Sequence, residues 1–73
     1  MLNDLDVVSL KSDLPNIGLE KGARGTIVHI HHVPNVAYEV EFCNDDGETI
    51  AMIPLLENQI SLEWSMHKPR LAA

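Results

Sequence analysis

The amino-acid sequence predicts an all-β fold, a small barrel of five short strands. Its β-branched runs are short and are separated by Gly, Pro and Asx turns, the pattern of barrels and sandwiches rather than of helical domains. Residues 37–42, Ala-Tyr-Glu-Val-Glu-Phe, alternate apolar and acidic side chains, so one face of that strand is buried and the other wet. Asn44-Asp-Asp-Gly47 then supplies a strong hairpin turn. Closure is expected because it removes exposed edges. The 73 residues make one domain. It is expected at 6–62, between a loose N-terminus at 1–5 and a partly disordered C-terminal tail at 63–73.

Each element has its own warrant. Asp6 to Leu10 is the first strand, with Val8 and Leu10 on one face and Val7 on the other. Lys11 to Gly22 is a long loop, because Pro15 fixes φ and lacks a donor. Leu14, Ile17 and Leu19 are too apolar for a freely waving segment and are expected to tuck against the end of the barrel. Gly25 opens the second strand, where Thr26, Ile27, Val28 and Ile30 are strong strand formers running to His32. Strand, irregular loop, glycine turn and second strand, in that order, are how a small SH3-like barrel begins. Residues 33–36 turn the chain into the third strand, Ala37 to Phe42. Glu48 to Ile53 is the fourth, with Ile50 and Met52 on one face and Thr49, Ala51 and Ile53 on the other. Residues 54–59 lack alternation and suit a short 3₁₀ turn before the last strand, Ile60 to Leu62. The expected core is Val8, Leu10, Val28, Ile30, Tyr38, Val40, Phe42, Ile50, Met52 and Ile60.

Eleven acids stand against five bases, a net charge of −6. That argues against nucleic acid, which needs a basic face, and suits a basic protein partner as well as plain solubility. The single Cys43 excludes an internal disulfide. Residues 1–4 lack the basic and apolar regions of a signal peptide. No apolar run approaches the roughly 18–20 residues that span a bilayer. The expectation is a soluble, cytoplasmic protein without membrane contact.

Few residues carry chemistry. Glu39, Glu41, Asp45, Asp46 and Glu48 make an acidic hairpin with no basic residue among them. This is the best candidate partner-binding surface, through charge-assisted hydrogen bonds to a cationic protein, although the same acids also suit the wet side of any hairpin. Trp64 is a second candidate partner-binding residue, or else a lid on the barrel's own end. His29 and His31 fall on one face of a regular strand and are a candidate metal pair, with Glu39 or Glu41 as third ligand. The plainer reading is that they are solvated strand residues on the outer barrel face, since two histidines without a fixed third ligand are an unspecific signal. The glycines at 18, 22 and 25 lack the Gly-Lys-Ser/Thr ending of a phosphate loop. Cys43 and the serines have no nucleophile context, so no catalytic residue and no cofactor is expected and the chain is read as a non-enzyme.

Several segments stand in a recognisable order: Asp6-Val-Val-Ser-Leu, Asp13-Leu-Pro, Gly18-Leu-Glu-Lys-Gly-Ala-Arg-Gly-Thr-Ile-Val, Tyr38-Glu-Val-Glu-Phe, Asp46-Gly-Glu-Thr and Asn58-Gln-Ile. Over residues 6–62 this ensemble resembles a family of small bacterial proteins of unknown function. The resemblance implies a stand-alone SH3-like barrel, distantly similar to that of the nitrile hydratase β subunit. It also implies neighbourhood with small toxin-like genes, and hence an antitoxin or immunity role. It brings no catalytic residues. The expected function is therefore a non-catalytic protein-binding module that neutralises a basic, toxin-like partner through its acidic surface. The alternatives are an accessory or metal-associated assembly protein and a KOW-like nucleic-acid module. Exposed strand edges also fit a homodimer.

Overall fold

Five strands form in the computed structural model, which describes residues 1–67: β1 (Val7–Leu10), β2 (Arg24–His31), β3 (Ala37–Cys43), β4 (Thr49–Leu55) and β5 (Ile60–Trp64). They make one antiparallel sheet in the order β4-β3-β2-β1-β5. The chain meanders from β1 to β4, and β5 returns to the free side of β1. Among the described residues no ladder joins β4 to β5, so the backbone hydrogen bonds describe an open sheet rather than the closed barrel expected. Short 3₁₀ turns occupy Pro15–Ile17 in the first loop and Glu57–Gln59 before β5. No helix among the described residues is long and apolar enough to cross a membrane.

One cluster of buried side chains draws on all five strands: Val8 and Leu10, Ile27, Tyr38, Val40 and Phe42, Leu55, and Ile60. Leu2 and Leu19 join it from the N-terminus and the first loop. The described residues supply no helical layer, so the sheet wraps around its own core to bury one face. Of the loop residues expected to tuck in, Leu19 is buried and Leu14 packs on the core, while Ile17 stays exposed.

Two bulges change which residues face inward. The register of β2 on β3 shifts between Ile27 and His29. Ile27 therefore turns into the core, Val28 is left 39% exposed, and Ile30 only packs at the margin. Between Phe42 and Cys43 a second shift sets Phe42 opposite Ala51 but Cys43 opposite Thr49. Ala51, Ile53 and Leu55 thus line the inner face, and Ile50 and Met52, expected in the core, are 55% and 50% exposed. An extra residue in one strand inverts the inside–outside alternation beyond it. Pro54 and Leu55 belong to β4 and not to the 3₁₀ turn; β4 is an edge, where a missing N–H is tolerated.

The expected ends also differ. Leu2 is buried and its N–H donates to the Tyr38 hydroxyl at 3.2 Å, while the Leu5 N–H donates to the Ile27 carbonyl, so the N-terminal segment is held at these two points. Asp6 is fully buried, accepting from the Asn3 N–H at 2.9 Å and from the Ser65 hydroxyl. β5 continues past Leu62, with Trp64 paired to Val7. A buried carboxylate must find donors, and those at hand lie on both ends of the chain. Residues 68–73, the rest of the expected tail, lie outside the described residues.

Candidate functional site

The β3–β4 hairpin carries the acids. On β3 the buried Tyr38, Val40 and Phe42 alternate with Glu39 and Glu41, which the pleat places on the outer face. At the turn, the Asn44 side-chain oxygen accepts from the N–H groups of Asp46 at 3.0 Å and Glu48 at 2.9 Å. Its amide donates to the Glu48 carboxylate at 3.1 Å. Gly47 follows at φ +82°, a left-handed backbone that glycine adopts without strain. This self-bonded turn holds Asp45 and Asp46 at the tip. Their carboxylates make no side-chain hydrogen bond or ion pair among the described residues.

The two β3 acids differ in their partners. Glu39 holds His31 Nε2 at 2.8 Å, and Glu41 accepts from the Thr49 hydroxyl. No Lys or Arg occurs between Gly25 and His67, and Arg24, which lines a cleft with Glu41, pairs with Glu63 on β5. Two acids outside the hairpin do have partners. Glu63 on β5 binds Arg24 at 3.5 Å and accepts from Ser9 at 2.9 Å, and Asp13 accepts from the Lys21 N–H at 2.7 Å.

The remaining candidates are placed as follows. His29 and His31 do share a face, their rings edge to face with centroids 4.7 Å apart. Glu39 lies opposite His29 in register, yet no three His, Cys, Asp or Glu side chains among the described residues are grouped to hold a metal ion. His31 instead commits its Nε2 to Glu39. Trp64 is 52% exposed. It sits on β5, at the opposite edge of the sheet from β4, so the structure does not bring it together with the acidic hairpin. Cys43 is a free, exposed thiol. It lines a shallow cleft of about 130 Å³ with Val7, Arg24, Gly25, Thr26 and Glu41. A second cleft of about 90 Å³ lies between Leu10, Leu14 and Leu55. Both are smaller than the roughly 300 Å³ at which small-molecule sites begin.

Sequence reasoning missed the apolar side chains that accompany the acids. Met52 lies directly opposite Glu41, and Pro54 opposite Glu39, so outward apolar groups on β4 flank the acids of β3. Ile50 is exposed nearer the turn. The only signal in the sequence was Pro54, which marks an edge strand.

A family model matches residues 4–62, and its description is a domain of unknown function, DUF4926. No curated protein and no solved structure matches the chain.

Proposed function

We propose that this chain, which belongs to the family of domains of unknown function DUF4926, is a non-catalytic, antitoxin- or immunity-like protein that binds a basic partner protein through its β3–β4 hairpin. The carrying observation is the acidic set itself: Asp45 and Asp46 at the tip of a self-bonded turn and Glu41 on the outer face of β3, in a stretch without Lys or Arg. Desolvating carboxylates costs free energy unless a cation replaces the water, and complementary charge also speeds encounter. The finer architecture in this reading is an SH3-like barrel. One sheet, with no second layer described, gathers all five strands around one core, as a barrel wall does. A cytoplasmic setting belongs to the same reading, since an exposed free thiol such as Cys43 persists under reducing conditions.

The test is to capture a partner from native lysate with tagged protein and then measure its affinity for two variants. Glu41→Lys/Asp45→Lys/Asp46→Lys reverses the surface, whereas Glu20→Lys reverses an exposed loop acid outside it. The triple variant is expected to bind about tenfold more weakly or worse, with affinity falling as salt rises, and Glu20→Lys to bind as before. Equal affinity for the triple variant overturns the reading.

A further inference from the structure

The outer edge of β4 offers more than charge. Its backbone orientation follows from the ladder. Leu5 N–H donates to the Ile27 carbonyl at 2.7 Å and Ile27 N–H to the Asp6 carbonyl at 3.0 Å, so Ile27 turns its backbone groups toward β1. Antiparallel ladders alternate this direction residue by residue. Thr26 therefore faces β3, and Glu41 opposite it faces β2. Val40 and Phe42 then face β4, where Ile53 and Ala51 answer them. The residue between, Met52, must turn its N–H and C=O outward, away from the sheet. Pro54 shares that outward phase and has no N–H to leave unpaired. Among the described residues nothing pairs with this edge.

We infer that the β4 edge is a slot for one added strand, centred on Met52, and that its occupant is an extended segment of a partner protein with Lys or Arg at alternate positions. This rests on the acidic-surface reading and specifies how the partner sits. Strand addition draws affinity from main-chain hydrogen bonds and specificity from alternate side chains. Here the outward apolar groups of Met52 and Pro54 lie between the edge and the carboxylates of Glu41 and Glu39. A long basic side chain suits that layout: its methylenes cover the apolar strip while its charged head reaches the acid beyond. The bulge beside Ile50 and the ring of Pro54 bound the slot at its two ends. A second copy is a poor occupant. Each edge would set its Ile50 bulge against the partner's Pro54, and two chains of charge −6 would meet at their most acidic faces. The opposite edge, β5, does not compete, since its Glu63 is already held by Arg24 and Ser9.

The test uses a fluorescein-labelled octapeptide of alternating Lys and Thr, with alternating Glu and Thr as control, titrated into the whole protein by anisotropy. Amide exchange at Met52 is followed by NMR. Expected are binding of the Lys peptide alone, slowed exchange of the Met52 N–H on binding, and about tenfold weaker binding by Met52→Lys. Because Met52 is exposed, that variant is expected to keep its thermal midpoint; the exchange measurement on the unaltered protein does not depend on it. Binding that perturbs Asp45 and Asp46 but leaves Met52 exchange unchanged overturns the strand-addition inference and leaves the acidic-surface reading standing. Failure of the Lys peptide to bind, or equal binding of the Glu peptide, overturns the inference. So does protection of Met52 by self-association without peptide.

Discussion

Gly25 sits where β2 passes close above β3. A Cβ built there would lie 2.6 Å from Val40 Cγ1 and 2.9 Å from both the Glu41 carbonyl oxygen and Phe42 Cε1. The nearest of these belongs to a packed core residue, so no flexible side chain can simply swing away. Gly25→Ala is expected to cost about 1–3 kcal/mol by overpacking, read as a lower urea midpoint. Tyr38 is the other residue whose surroundings decide its behaviour. Burial pushes its phenol above the ordinary 10.0; the Leu2 N–H donated to it works the other way, and the Glu57 carboxylate adds to the rise. The folded state thus keeps a proton that the unfolded chain gives up, so this contribution to stability is whole below about pH 10 and is lost as pH rises beyond it. Urea midpoints of wild type and Tyr38→Phe are expected to converge between pH 9 and 11, by roughly the alkaline loss that Phe cannot suffer. The sequence shows Tyr38 as a core position, but its partners lie 36 and 19 residues away, beyond any local pattern.

At the scale of the element, β3 and β4 contrast. In β3 the period-two pattern is read correctly from the sequence, because the unpaired residues of both bulges, Val28 and Ile50, lie on its neighbours and leave Tyr38 through Phe42 in phase. In β4 the same reasoning selects the wrong face. Ile50 and Met52 are larger than Ala51 and comparable to Ile53, so size favours burying them, yet the bulge after Phe42 reverses the strand's phase. A bulge is one unpaired residue, and no hydrophobicity pattern records it. The acidic hairpin itself was legible, since Asn44, Gly47 and the acids are neighbours in sequence; the apolar strip beside it was not. The β4 phase has a direct check. Met52→Thr is expected to change stability by no more than about 0.5 kcal/mol, as exposed positions do. Ile53→Thr, which puts a hydroxyl against the core, is expected to cost about 1–3 kcal/mol. Thermal or urea unfolding of the two variants separates them, and the reverse ranking would return Ile50 and Met52 to the core.

For the whole molecule, the fold needs more chain than the family match covers. That match ends at residue 62, whereas Trp64 extends the β1–β5 ladder and Ser65 donates to the buried Asp6. Ending the chain after Leu62 leaves the Asp6 carboxylate short of a donor, a loss of about 1–3 kcal/mol. The expected result is a melting temperature lower by roughly 4–8 °C for each kcal/mol, seen by calorimetry or circular dichroism. An unchanged melting temperature would make residues beyond 62 an appendage, as the sequence suggested.

The meeting of the two ends also sets how the molecule responds to force. β1 and β5 are antiparallel, and their outermost pair, Val7 with Trp64, lies beside the Ser65–Asp6 bond and the contact of His67 Nε2 with the Asp4 carbonyl at 3.2 Å. A pull on the two termini therefore acts along those bonds rather than across them, since ladder hydrogen bonds lie perpendicular to the strands. They open one at a time, like a zipper, beginning at Asp4 and His67 and passing to Asp6 and Ser65. The sheet is thus mechanically weak along this axis, and an unfolding motor gripping either end would peel β5 from β1 before it disturbed the acidic hairpin on the far side.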